Sequence, residues 1–466
     1  DFTRVIRADP VRRGLLYAGT ETGLYVSFDD GASWQRFQLN LPVSPIHDLL
    51  VKENDLLAGT HGRSIWVLDD LTPLYQMTDS IAEAGAHLFK PRGAVRIGPG
   101  IDWSSDVAGK NYVGSFGGAF TVTKTPENAT IRNYIDVGKN PPRGAIVTYR
   151  LKQKPEGVIS LTFRDSQGAV VRKFISIDPQ QAEKEKPKDD PKAKELKITA
   201  NAGWNRFVWD LRYTDATKVE GKDPPAEMTI AGPMVPPGTY QVTLDAGGQS
   251  LAESFEVIGD PRTAATQEDI QAQFDLLTRM HQKTNATTGA INRMRDLRQQ
   301  LEGWSKRVEG LPNGAGIAEA ATALKEKVLE IEKTILIPDL RPGWADNLNQ
   351  GVRLLEQLAN LPPVVELGDY RPTDAAHTVF DQLTAKIDAQ LDRFNRLIET
   401  DLAALNTRIA EARIGAVIPK VDRTAASEAD TAKQDQPEST SSFSAARGEG
   451  TGEGGPPSDG APADTE

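Results

Sequence analysis

The eight residues Ser27-Phe28-Asp29-Asp30-Gly31-Ala32-Ser33-Trp34 constrain the fold of this 466-residue chain more than any other stretch. The strand-forming run Leu24-Tyr25-Val26 leads into them, and a second strand is expected to restart at Trp34. Gly31 has no Cβ to oppose a positive φ, and an aspartate ahead of it bonds turn N–H groups through its carboxylate. The stretch therefore predicts a tight β-hairpin with Asp29 accepting backbone N–H groups inside its turn. Ala18-Gly19-Thr20 and Asp29-Asp30 return as Ala58-Gly59-Thr60 and Asp69-Asp70, both at an offset of 40. That period suits a repeating four-stranded sheet unit. In the second copy Ser27, Gly31 and Trp34 give way to Val67, Leu71 and Leu74, and Thr72-Pro73 interrupts the turn. Proline cannot donate to a central ladder, so the chain is expected to leave the repeat there.

The pattern Ser-x-Asp-x-Gly-x-Ser-Trp, carried by Ser27, Asp29, Gly31, Ser33 and Trp34, resembles the Asp box, or bacterial neuraminidase repeat, of sialidases and sortilin-like β-propellers. Asp69 is taken as the second-copy counterpart of Asp29. The box in that family folds a blade and lies away from the ligand face, so the resemblance implies an architecture and leaves the chemistry open. It implies that residues 1–75 are the last blades of an incomplete propeller, because two units cannot close one. Since the chain opens inside a strand at Asp1–Ile6, it is expected to be the C-terminal part of a longer bacterial protein. Such proteins are exported, to the periplasm, the cell surface or the medium, and are often labelled glycosyl hydrolases. Two functions follow from the resemblance. One is a non-catalytic scaffold that binds protein or peptide. The other is part of a sialidase-like glycoside hydrolase, with carbohydrate as ligand and its active-site blades elsewhere.

Composition narrows the partners. The formal net charge is −11, and the segment Asp422–Glu466 carries ten acidic and three basic residues, leaving −4 for residues 1–421. A mildly acidic chain without a basic stripe argues against nucleic acid. No run of eighteen apolar residues occurs, so no transmembrane segment is expected. The absence of cysteine excludes disulfides and thiolate metal sites. The five histidines, at 47, 61, 87, 281 and 377, show no ligand spacing, and neither a metal nor a cofactor is expected.

The remaining sequence divides by period. Residues 87–260 read as an immunoglobulin-like β-sandwich with a charged loop at 179–197, in which Val208-Trp209-Asp210 and Pro237-Gly238-Thr239-Tyr240 resemble modules of secreted bacterial proteins. Residues 264–415 carry a helical period and predict an antiparallel bundle. Its helices start at a Thr266/Asp269 capping box, then run over 317–335, 345–361 and along the stripe Phe380, Leu383, Ile387, Leu391, Phe394, Ile398, Leu402, Leu405, Ile409. Residues 420–466 are expected to be a disordered acidic tail. The fold class is thus multidomain β plus α: partial propeller, sandwich, bundle and tail.

Three groups of residues are candidates for chemistry. The pairs Asp29-Asp30 and Asp69-Asp70 are read as turn-stabilising, since neighbours in an extended chain face opposite ways and cannot aim two carboxylates at one substrate. His61 and Arg63 stand where the first copy has Glu21-Thr22-Gly23. Arg63 either contributes a guanidinium fork to a carboxylate ligand or bonds carbonyls of a neighbouring unit. Trp204 and Trp209, five positions apart, face opposite sides of one strand; Trp209 is assigned to the core and Trp204 to the surface, where a stacking platform is open to it.

Overall fold

A computed structural model describes residues 2–98, 109–113, 117–134, 138–178, 195–221, 230–338 and 351–414 of the chain. The tail beyond Ile414 and most of the charged loop lie outside the described residues. The architecture is mixed β plus α, with several sheets followed by a helical region.

The first sheet is an antiparallel meander of β1 (Thr3–Ala8), β2 (Leu16–Thr20), β3 (Leu24–Ser27) and β4 (Gln35–Arg36) in that order. The second, β5 (Ile46–Lys52), β6 (Asp55–Thr60) and β7 (Ile65–Leu68), repeats it with three strands. The chain leaves the ladder after β7, at the point where Thr72-Pro73 was expected to interrupt the repeat. Thr72-Pro73 opens the short helix α1 (Thr72–Gln76), because proline is accepted in a first helical turn and refused by a ladder. The two sheets share one core of Val5, Leu15, Tyr17, Leu24, Val26, Ile46, Leu49, Leu56, Ala58 and Leu71. Gly19 marks their closest approach: a Cβ there would meet Val5 and Ile46 side chains at 2.8 Å.

After α2 (Asp79–Glu83) comes a two-sheet sandwich. One sheet has the order β16-β13-β8, formed by Gly203–Trp209, Ala145–Leu151 and Ala86–Leu88. The other has the order β15-β14-β17-β18-β9, formed by Val170–Ile175, Ser160–Arg164, Gly238–Ala246, Gln249–Gly259 and Ala94–Arg96, with β9 parallel to β18. Both sheets face one core centred on Trp209, whose indole stacks on Phe163 at 4.4 Å. Residues 109–134 were assigned to this sandwich by sequence. They form instead a separate three-stranded sheet, β10 (Gly109–Val113), β11 (Gly117–Lys124) and β12 (Thr130–Tyr134).

The helical region opens on the expected capping box, in which Thr266 accepts from the Asp269 N–H and Asp269 accepts from the Thr266 N–H. From it runs α3 (Gln267–Arg307), 41 residues and about 60 Å long. A tight turn returns the chain along α4 (Ala315–Ile335), so that Glu302 meets Lys325 and Arg295 meets Glu332. The third helix differs from expectation. Leu354–Ala359 (α5) and Leu361–Val365 (α6) are short, and residues 345–350 lie outside the described set. Pro362 and Pro363 restart the helix at Leu361 rather than continue it. The stripe forms α7 (Asp374–Leu397), a π-helical turn over Ile398–Leu402, and α8 (Ala403–Glu411). Phe380, Leu383, Ile387, Phe394 and Leu405 are buried, while Leu391 and Ile398 are half-buried. The π turn adds a residue and rotates the face that follows it.

Candidate functional site

The turn from Ser27 to Trp34 is held by a network of hydrogen bonds. Asp29 Oδ1 accepts the Ser33 N–H at 2.9 Å and the Ser27 hydroxyl at 2.7 Å, and Oδ2 accepts the Ser33 hydroxyl at 2.5 Å. Ser27 Oγ in turn accepts the Gly31 N–H at 2.9 Å. Donors from Ser33 first, then Ser27, hold the Asp29 carboxyl down at about 2. Asp30 (φ 59) and Gly31 (φ 90) turn the chain, and the Trp34 ring lies beside Gly31. Both carboxylate oxygens of Asp29 are thus engaged by the turn.

In the second unit the ladder shifts the correspondence. Leu16 pairs with Ser27, and its counterpart Leu56 pairs with Leu68, an offset of 41 rather than 40. The extra residue lies in the β6–β7 loop. Asp70, not Asp69, therefore holds the ladder position of Asp29, and it accepts the N–H of Thr72 at 3.1 Å. Asp69 is released from turn duty and approaches Arg206 at 3.8 Å.

His61 and Arg63 lie in that β6–β7 loop, at the opposite end of β7 from Asp69. The His61 ring stacks on His47 at 5.0 Å, and the His61 backbone N–H donates to the Pro45 carbonyl. The Arg63 carbonyl accepts Trp66 Nε1 at 2.8 Å, and its side chain is exposed. Nothing converges on this pair among the described residues beyond these contacts.

A cleft of about 540 Å³ lies instead where the repeat pair meets the sandwich. Alternation explains the wall on the sandwich side. Phe207 and Trp209 face the core, so Trp204 and Arg206 face outward beside Ile146 and Thr148 of the neighbouring strand. The opposing wall comes from the first hairpin, Phe28, Arg36, Phe37 and Leu39, and from Asp69, Leu74 and Met77. Trp204 is 49% exposed and stacks on Phe89 at 4.9 Å, nearly parallel, so one ring face is braced. The arrangement offers apolar and aromatic surface lined also by two guanidinium groups, Arg36 and Arg206, and two carboxylates, Asp69 and Asp70. Sequence reasoning singled out Trp204 and missed Arg206, Arg36, Phe37 and Met77. The signal for Arg206 was present, since it stands two residues from Trp204 on the same strand face.

A second cleft, about 410 Å³, lies by α5 and α6. Its main charges serve each other: Arg212 grips Glu366 through both carboxylate oxygens, at 3.2 and 2.8 Å. Burial pushes the Glu356 carboxyl up. Among the described residues no cluster of His, Asp and Glu suits a metal ion, and no helix is long and apolar enough to cross a membrane.

No protein-family model matches the chain, and no curated protein matches it.

Proposed function

We propose that the chain is a binding module of an exported Asp-box propeller protein of the sortilin-like kind, taking an extended peptide or protein segment in the cleft between repeat pair and sandwich. The observation that carries the reading is the cleft wall: Trp204 braced on Phe89, apolar side chains of the first hairpin opposite, and Arg36 and Arg206 at the rim. An aromatic anchor in an apolar cleft with a guanidinium beside it is the composition of protein-binding hot spots. The closed bonding of the Asp-box turn and the alternation of β-units support the architectural part of the reading. The immunoglobulin-like assignment of the sandwich rests on its two packed sheets and its core tryptophan. Asp29 and Asp70 are occupied within their turns, which favours binding over acid–base chemistry at the repeat.

Panning a random peptide library on the full chain tests this. Enriched peptides are expected to pair an apolar or aromatic residue with an acidic one, and to lose at least tenfold in affinity with Trp204→Ala. Peptides that bind the wild type and Trp204→Ala equally would move the site elsewhere. Turnover of a fluorogenic sialoside, abolished by Asp69→Ala or Arg63→Ala, would replace the binding reading with the hydrolase one.

A further inference from the structure

The outward face of the three-stranded sandwich sheet continues past the cleft. Along β13, Ala145, Val147, Tyr149 and Leu151 enter the core, so Ile146, Thr148 and Arg150 face outward. Ile146 and Thr148 line the cleft with Trp204, and Arg150 stands one position further along. The ladder sets Arg150 directly between Trp204 of β16 and His87 of β8. Leu88 points into the core, so its neighbour His87 shares the outward face. His87, Arg150 and Trp204 thus form one row across three strands, with adjacent Cβ atoms about 5 Å apart. Phe89 braces both ends of the row. Its ring lies 4.9 Å from Trp204, nearly parallel, and 4.6 Å from His87, edge to face.

The row carries polar atoms without partners. Arg150 Nη1 and His87 Nε2 are sealed from solvent, and neither has a hydrogen-bond partner among the described residues. The acids around them are engaged or act through charge alone. Glu83 of α2 feels the Arg150 charge, yet it pairs with Lys152 at 2.9 Å. Glu253 of β18 draws His87 toward its charged form, but burial outweighs this and holds the imidazole below the ordinary histidine value. A buried guanidinium nitrogen left without an acceptor costs more than the missing bond would have gained. A guanidinium beside an imidazole, next to an exposed indole, matches an anion that offers two oxygens and an apolar group.

We propose that Arg150 and His87 take a carboxylate of the ligand whose aromatic or apolar group rests on Trp204. The site serves the ligand of the cleft and so rests on the binding function proposed for it. Arg150 is half-buried on a long stem, and rotation at its end presents Nη1 to the anion. Arg150 supplies a fixed charge, and His87 supplies a second donor by taking up a proton as the anion binds. The free chain holds His87 neutral near pH 7, and a bound carboxylate raises its pKa. Affinity therefore climbs as pH falls through the bound-state value and levels off below the free one. A peptide C-terminus and an Asp or Glu side chain share this chemistry.

Proton–carbon NMR of the His87 ring in the full chain, assigned by His87→Gln, tests the proposal. The probe is N-acetyl-phenylalanine, and N-acetyl-phenylalaninamide is its uncharged control. The carboxylate is expected to raise the His87 pKa by about one unit, and the amide to leave it in place. Arg150→Gln is expected to abolish the rise with circular dichroism unchanged; should it lose its fold, Arg150→Met, which keeps the stem, takes its place. A His87 pKa unmoved by the carboxylate overturns the proposal, as does a rise that persists in the Arg150 variant. Panned peptides then give the source of the carboxylate. Amidating the C-terminus costs roughly tenfold in affinity if the terminus is the source, and replacing Asp or Glu by its amide does so if a side chain is. Peptides indifferent to both changes overturn the proposal. A peptide that moves the Trp204 resonance and leaves His87 in place overturns the carboxylate site alone. One that saturates the chain and leaves Trp204 unmoved overturns the cleft reading and the site with it.

Discussion

Asp29 shows how one side chain specifies a turn. It uses both carboxylate oxygens on Ser27 and Ser33, and Ser27 passes the network on to the Gly31 N–H. These bonds favour the ionised form, so the folded value of about 2 lies below the ordinary aspartate value of 3.8. The linkage sign follows: the stabilisation is complete above the unfolded value and is lost as pH falls through the folded one. The Asp29 carboxyl resonance is expected to titrate near pH 2 rather than near 4, with hairpin amide protection falling over that window. Asp29→Asn keeps the shape but turns one acceptor into a donor facing the donors of Ser33, and is expected to speed amide exchange at Gly31 and Ser33. A carboxyl titrating near pH 4 would show that the turn is not built on this ion. Asp69, by contrast, could not be separated from Asp70 by spacing alone. The one-residue insertion that exchanges their roles lies in the loop containing His61 and Arg63, upstream of both aspartates.

At the scale of elements, periodicity read the helices well and the sheets in part. The stripe from Phe380 predicted α7, because an apolar face repeating every three or four residues has few other solutions. It did not reveal the π turn at Ile398, since one added residue is invisible to a pattern that already alternates three and four. Short strands within 109–134 alternate as sandwich strands do, so only pairing could assign them to a sheet of their own. The stripe makes a quantitative expectation. Ile387→Ala, at a position with no exposed surface, should cost about 2–5 kcal/mol in a denaturant melt. Leu391→Ala, half-buried, should cost less. Equal costs would mean that the face is rotated from the one described.

In the whole molecule, sandwich and helices are joined by buried polar groups that no pattern announced. Arg96, at the end of β9, donates to the Val235 carbonyl at 3.0 Å, to Gln273 of α3 at 3.0 Å and to Asp369. Gln273 donates onward to the Val365 and Gly368 carbonyls, each at 2.8 Å. The Arg96 and Asp369 side chains are 2% and 3% exposed. Their positions are 273 residues apart, which is why the sequence is silent about the pair. Arg96→Leu strands a buried carboxylate and is expected to cost about 3–5 kcal/mol, measured by chemical unfolding. Replacing Asp369 by Leu as well should recover much of that loss, and no recovery would deny the coupling. The cleft depends on the same large-scale arrangement. Trp204 was legible as a surface residue from strand alternation, whereas the wall facing it comes from a hairpin some 170 positions away.

The binding reading is tested most directly at Trp204 itself. Fluorine NMR of the full chain labelled with 5-fluorotryptophan, with resonances assigned by Trp→Phe substitutions, would follow Trp204 and Trp209 while a panned peptide is added. The account predicts that the Trp204 resonance shifts to saturation with the peptide's affinity, while that of Trp209, sealed in the sandwich core, stays in place. A peptide that saturates the chain and leaves the Trp204 resonance unmoved would contradict it.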